Sequence, residues 1–189
     1  MAQRLVVAVT GATGMLAAKR LIEKTTFAEV VLVVSEWGKR VYERECGALD
    51  DLGCRVAGVY DNADLSAPIA SGSVDTLGMV IIPCSANTLG QIAAGTGDGL
   101  IARAAHCHLK ERKRLVLAFR ETPLSLIDIN NARTVTLAGG VVMPMSPPFF
   151  MAGDADPNTV TMVALIDVYV DRVLKLFGVP PARTWEDVR

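Results

Sequence analysis

A chain of 189 residues with a net charge of −1 is long enough to bury one sizeable core, and it carries no basic tract of the kind a nucleic-acid partner demands. Half of it is apolar (51%) and the mean hydropathy is +0.35, yet no uninterrupted apolar stretch reaches the roughly 18 residues of a membrane helix. The excess apolar surface belongs in the core or between subunits, which predicts a homo-oligomer and no membrane partner.

In chain order, Arg4–Val9 is a short β-rich run, followed by the loop "TGATG" and a helical stretch over Met15–Lys24. Val30–Val34 reads as a second strand, Trp37–Glu45 as a helix and Cys54–Tyr60 as a third strand. Residues 61–73, "DNADLSAPIASGS", are turn formers. Gly78–Ile82 is another strand, ending in "PCSANT", where a helix starts. Leu100–Arg112 is an amphipathic helix with Leu100, Ile101, Ala104, Ala105 and Leu109 in one stripe. Leu115–Phe119 is a buried strand, Ser125–Ala138 is mostly helical, Val141–Met143 is a short strand and Asn158–Phe177 is a final helix. This alternation predicts an α/β fold, a three-layer, doubly wound parallel sheet of flavodoxin-like or Rossmann-like type, in one domain over 1–189. Such sheets bind ligands beyond the carboxyl ends of their strands, and four of those ends carry unusual residues: "TGATG", "VSEWG", "PCSANT" and "FRETP".

The first, Thr10 to Gly14, is a glycine turn opening into a helix, which presents backbone N–H groups to an anion. A tight turn alone explains it equally, and with Glu36 as a ribose-binding acid it also fits a nicotinamide site. Against the latter, the third glycine of that fingerprint is missing. No tyrosine has a lysine four residues on: Tyr42, Tyr60 and Tyr169 are followed by Cys46, Asp64 and Val173. In "PCSANT", Ser85, Asn87 and Thr88 supply small donors and acceptors that suit a flavin ring or ribityl phosphate, and equally cap a helix. Arg103 and Lys110, seven apart, share one edge of their helix, either facing a phosphate or forming a solvated rim. His106 and His108 are expected at the surface or an interface, and two histidines without clustered carboxylates make a poor metal site. Cysteines 46, 54, 84 and 107 show no zinc-like pairing, so reduced thiols and a cytoplasmic location are expected. The N-terminus does not read as a signal peptide. At "FRETP", Arg120 and Glu121 place opposite charges together where a core strand ends. They suit an anion for the arginine and a proton for the glutamate, or a plain solvated ion pair.

"VTGATG", "TLGMVIIPCSANTLGQIA", "LIARAA…LKER" and "LVLAFRETPL" together resemble the UbiX flavin prenyltransferase family, in the same order and spacing from residue 4 to about 177. The resemblance implies a protein that joins a dimethylallyl group, from its monophosphate or pyrophosphate, to N5 and C6 of reduced FMN without a metal. The product is the prenylated FMN cofactor of a UbiD-type decarboxylase. It also implies a dodecamer built from trimers. It assigns FMN to Gly11, Ala12, Thr13, Ser35, Ser85, Ala86, Asn87, Thr88 and Arg120, and acid/base work to Glu121 and Glu45. Substrate phosphate falls to Arg103, Lys110 and Arg172. One departure stands out: Phe150, in "PPFFMAG", occupies the place of a tyrosine that bonds the allyl phosphate. A flavin-binding relative with lost or altered transfer activity is therefore the alternative. "PCSANT" also resembles the "PASANT" motif of flavin-dependent cysteine decarboxylases, but the catalytic histidine of that group has no counterpart in the first hundred residues. Residues 151–158, "MAGDADPN", read as a lid.

Overall fold

The computed structural model describes residues 3–146, 158–182 and 184. Strands β1 (Arg4–Val9), β2 (Glu29–Val34), β3 (Gly58–Asp61), β4 (Gly78–Cys84), β5 (Arg114–Phe119) and β6 (Val141–Pro144) form one parallel sheet in the order β3-β2-β1-β4-β5-β6. The runs "RLVVAV", "EVVLVV", "GMVIIPC" and "RLVLAF" are apolar on both sides, as strands covered on both faces must be, and the first three are rich in β-branched residues. Side chains of β1 alternate accordingly. Leu5, Val7 and Val9 join one core with helices α1 (Met15–Lys24) and α7 (Met162–Lys175). Val6 and Ala8 join the other, with α4 (Ala86–Ala94) and α5 (Leu100–Lys110). The chain reverses its winding between β1 and β4, where the register pairs Leu5 with Gly78 and Ala8 with Ile81.

Helix α2 (Glu36–Cys46) follows β2. The one-turn helix α3 (Asp50–Gly53), whose Leu52 is fully buried, leads into a turn over 54–57, so the third strand begins at Gly58 and not at Cys54 as expected. A 3₁₀ turn at Pro68–Ala70 lies within the expected loop. Helix α7 runs beside α1 and is tied to it by the bidentate pair Arg20–Asp167 (2.6 and 2.8 Å) and by Lys24–Asp171. Helix α6 (Leu126–Leu137) differs: Val135 is its one buried residue, while Leu126, Ile127, Ile129 and Leu137 face outward. Leu124, Met162 and Val163 add to the exposed apolar surface. Among the described residues no helix is long and apolar enough to cross a membrane.

His108 is a correction: expected at the surface or an interface, it is buried in the fold. Its Nδ1–H donates to Ala104 O at 2.7 Å, which leaves Nε2 to accept from the Thr76 hydroxyl at 2.9 Å. Segment 70–76 lies along α5 as a strap. The Cys107 thiol and Arg103 Nε–H both donate to Ala70 O, and the Lys113 ammonium donates to Val74 O. That strap covers the side of α5 that a two-sided reading of the helix leaves in water.

Candidate functional site

A cleft of about 640 Å³ opens at the carboxyl edge of the sheet, lined in part by Gly11, Ser35, Trp37, Ser85, Asn87 and Glu121. Three helices start at it. The Ser35 hydroxyl accepts from Gly38 N at 3.0 Å and begins α2, and the Ser85 hydroxyl accepts from Thr88 N at 3.3 Å and begins α4. Asn62 begins α5, its carbonyl accepting from Leu100 N (2.6 Å) and its side chain from Ile101 N (2.9 Å). Helix N-termini carry partial positive charge, so three aimed at one cleft favour an anionic ligand. The backbone N–H groups of Ala86 and Asn87 have no partner among the described residues and stand at that opening.

The floor is stitched by Thr10, a residue not singled out for this from sequence. Its hydroxyl donates to Pro83 O at 2.8 Å and accepts from Ser85 N at 2.9 Å, joining the ends of β1 and β4. Arg120 is beside them, its backbone N–H donating to Cys84 O at 3.0 Å. Its side-chain Nε is buried and has no partner among the described residues. A buried guanidinium nitrogen left unpaired costs free energy unless something bonds it, so Arg120 is suited to an anion from outside the chain. Glu121 is exposed at the cleft, its carboxylate accepting from Thr122 N at 3.1 Å.

The structure thus brings together Gly11, Ser35, Ser85, Ala86, Asn87, Thr88 and Glu121 in one cleft, whose lining does not include Arg120. Ala12 is buried below the first loop, with its N–H spent on Thr10 O, and Thr13 is exposed on the loop without lining the cleft. Glu45 is beside the same loop, where its carboxylate accepts from Gly14 N (2.9 Å) and Met15 N (2.8 Å), occupying the N-terminus of α1. Those two amides are therefore taken, whereas the first two of α4 have no partner among the described residues. Arg103, Lys110 and Arg172 do not line the cleft. Arg103 bonds the strap, and Lys110 pairs with Glu111 at the far end of α5, about 15 Å along an 11-residue helix. Arg172 is exposed in the last turn of α7. Phe150 and residues 151–157 of the expected lid lie outside the described residues.

Trp37, Asn62, Gln91 and Asp98 also line the cleft and were not marked as site residues from sequence. The signal for Asn62 is faint, a turn former in a turn-rich segment. The signal for Trp37 is its position three residues beyond a strand end. Glu36, the ribose acid of a nicotinamide reading, is turned to Arg40, whose Nε lies 3.1 Å away.

A profile of the family described as Flavoprotein matches residues 1–172. Flavin prenyltransferase UbiX of Thermoplasma acidophilum is 41% identical over 178 residues, covering 93% of this chain and 95% of that protein. The crystal structure of AnUbiX in complex with FMN and dimethylallyl pyrophosphate is similar with a TM-score of 0.90, at 38% identity and 98% coverage of each chain. A dodecameric FMN-dependent UbiX-like decarboxylase from Escherichia coli follows with a TM-score of 0.88, at 36% identity, covering 96% of this chain and 98% of its own. Matched over nearly its whole length in sequence and in backbone, the chain belongs to the flavoprotein family, among its UbiX-like flavin prenyltransferases.

Proposed function

We propose that this chain is a flavin prenyltransferase that binds reduced FMN and joins to it a dimethylallyl group from dimethylallyl phosphate or pyrophosphate. The observation that carries the reading is the near-complete likeness to a solved relative whose complex holds FMN and dimethylallyl pyrophosphate. The residues present fit the flavin: the amides of Ala86 and Asn87 and the hydroxyls of Ser35, Ser85 and Thr88 supply donors around a cleft of suitable size, and the buried unpartnered Arg120 Nε follows in sequence directly before the cleft residue Glu121. Reduced FMN, when bound, supplies the electron-rich ring positions N5 and C6 that take the allyl group.

The chain's own work is electrostatic. Cleaving an allylic C–O bond releases a phosphate anion, and donors preorganised around it lower the barrier. Arg120 binds that anion or the flavin edge by charge-assisted hydrogen bonds. Glu121, one residue away at the cleft wall, delivers a proton to the departing phosphate, a role typically worth about 10²–10⁴-fold. Arg103, Lys110 and Arg172 stand apart from the cleft of their own chain, so they serve a phosphate only where a second copy completes the site. A dodecameric relative and the outward apolar face of α6 support such an assembly. The product fits delivery to a UbiD-type decarboxylase, and the chain works in the cytoplasm as one flavin-binding domain.

The test is anaerobic mixing with reduced FMN and each allyl donor, read by product mass. A flavin heavier by one C5H8 unit is expected. Flavin recovered unchanged with both donors refutes transferase activity and leaves a flavin-binding relative, the reading that Phe150 in place of tyrosine favours. Glu121→Gln should keep flavin bound while transfer falls roughly a hundredfold or more. Undiminished transfer removes the glutamate from the mechanism.

A further inference from the structure

We propose that Trp37 is the aromatic wall of the cleft, with one indole face stacked on the isoalloxazine ring and the other held by Arg40. This rests on the reading that the cleft takes FMN. Trp37 is 66% exposed and belongs to neither apolar core. A bare indole at the mouth of a concave site marks a surface that meets a ligand. Among the described residues lining the cleft, Trp37 carries the only ring; the rest are small, polar or aliphatic. Donors such as Ser35, Ser85 and Thr88 reach the edge of a planar tricycle, not its face. The face needs an aromatic partner.

The placement of this side chain is tightly held. A Cβ on Gly38 would lie 2.5 Å from Val9 O, and a Cβ on Gly11 would lie 2.5 Å from the Trp37 Cβ. Glycine at both positions lets the start of α2 press against the end of β1, with Trp37 leaning over the first loop. The ring is held as well. The Arg40 guanidinium carbon lies 4.9 Å from the Trp37 ring centroid, and Arg40 is in turn bonded to Glu36 at 3.1 Å through Nε and 3.0 Å through Nη2. A cation over one face fixes the indole and leaves the opposite face for a second partner. An indole is electron-rich and the oxidised isoalloxazine is electron-poor, so a stacked pair quenches indole emission and absorbs at long wavelength.

The experiment uses the full chain carrying Trp185→Phe, so that Trp37 is the one remaining tryptophan. Oxidised FMN is titrated while binding is measured independently by equilibrium dialysis. Trp37 emission should fall in step with flavin bound. Trp37→Leu should weaken FMN binding by about tenfold, the usual scale of one aromatic stacking contact, and abolish the long-wavelength band. Trp37→Phe should restore most of the affinity, and the melting temperature of flavin-free Trp37→Leu should match that of the parent. Flavin bound by dialysis with no quenching, or full affinity in Trp37→Leu, overturns the stacking role while the flavin site stands. No FMN binding by the parent chain overturns the flavin reading and this role with it.

Discussion

Helix α1 begins without a side-chain cap of its own. Its N-cap, Gly14, has φ = 100° and no side chain to offer, and the cap comes from α2 through the Glu45 carboxylate. Replacing Glu45 with alanine strips the acceptor from both Gly14 N and Met15 N. Losing an N-cap costs about 0.5–2 kcal/mol, and removing a negative charge from a helix N-terminus costs about 0.3–1 kcal/mol more. Met15 is fully buried, so water reaches its N–H poorly; Gly14 is more open. We expect about 2 kcal/mol for Glu45→Ala and about 1 kcal/mol for Glu45→Gln, which keeps the shape and one acceptor but no charge. In a chain of this length each kcal/mol moves the melting temperature by about 2–4 °C. Alanine should therefore lower it by about 4–8 °C and glutamine by about half as much. Flavin-free protein at one fixed concentration is required, because bound flavin and assembly both shift the midpoint. An unchanged midpoint in Glu45→Ala refutes the cap. A fall in transfer by Glu45→Gln beyond its loss of stability adds the acid/base role implied by the family resemblance.

His108 gives a pH dependence. Burial pushes its imidazole below the usual histidine range, Ala104 O opposes that shift, and the nearby Lys113 ammonium reinforces it. The unfolded chain then takes up a proton below about pH 6.5 that the folded chain refuses, so stability is whole above that value and falls as pH drops beneath it, by at most about 1.4 kcal/mol per pH unit. Urea unfolding from pH 7 to 5 should be flatter in His108→Gln, and equal slopes sink the argument. Ile127→Lys places a charge on the outward apolar face of α6 and should shrink the particle in light scattering. An unchanged particle mass excludes that face from the assembly.

Much of the sheet is legible in the sequence because its central strands are covered on both faces. "RLVVAV" and "RLVLAF" must be apolar throughout, and that leaves little room for another reading. Helix α3 is too short to show a period. Helix α6 misleads differently, since its leucines and isoleucines do not point at its own core. The cleft residues Ser35, Ser85, Asn87 and Glu121 stand out because they follow strand ends. For Arg103 and Lys110 the sevenfold spacing correctly gives one helix edge but says nothing of which end of the sheet that edge reaches. The place of His108 is not legible because its cover, the strap, lies far away in sequence, with Thr76 32 residues before it. Glu45 shows the same limit: its role in sequence comes only from the family resemblance, and its two backbone partners lie about thirty residues away in the chain.

The Thr10 stitch bears on the order of events when the chain folds. It joins residues 73 and 75 positions apart, and the cleft above it also needs Glu121. Pairing of such distant segments is slow because the loop between them must close first. During synthesis the cleft therefore has no counterpart until β5 has emerged, and a ligand finds nothing to hold in the early folding ensemble. A ligand that needs the finished cleft binds the folded state alone, so its contacts are expected to act on the reverse reaction. Flavin at a hundred times its Kd adds about 2.7 kcal/mol, and that gain appears as slower unfolding with an almost unchanged folding rate.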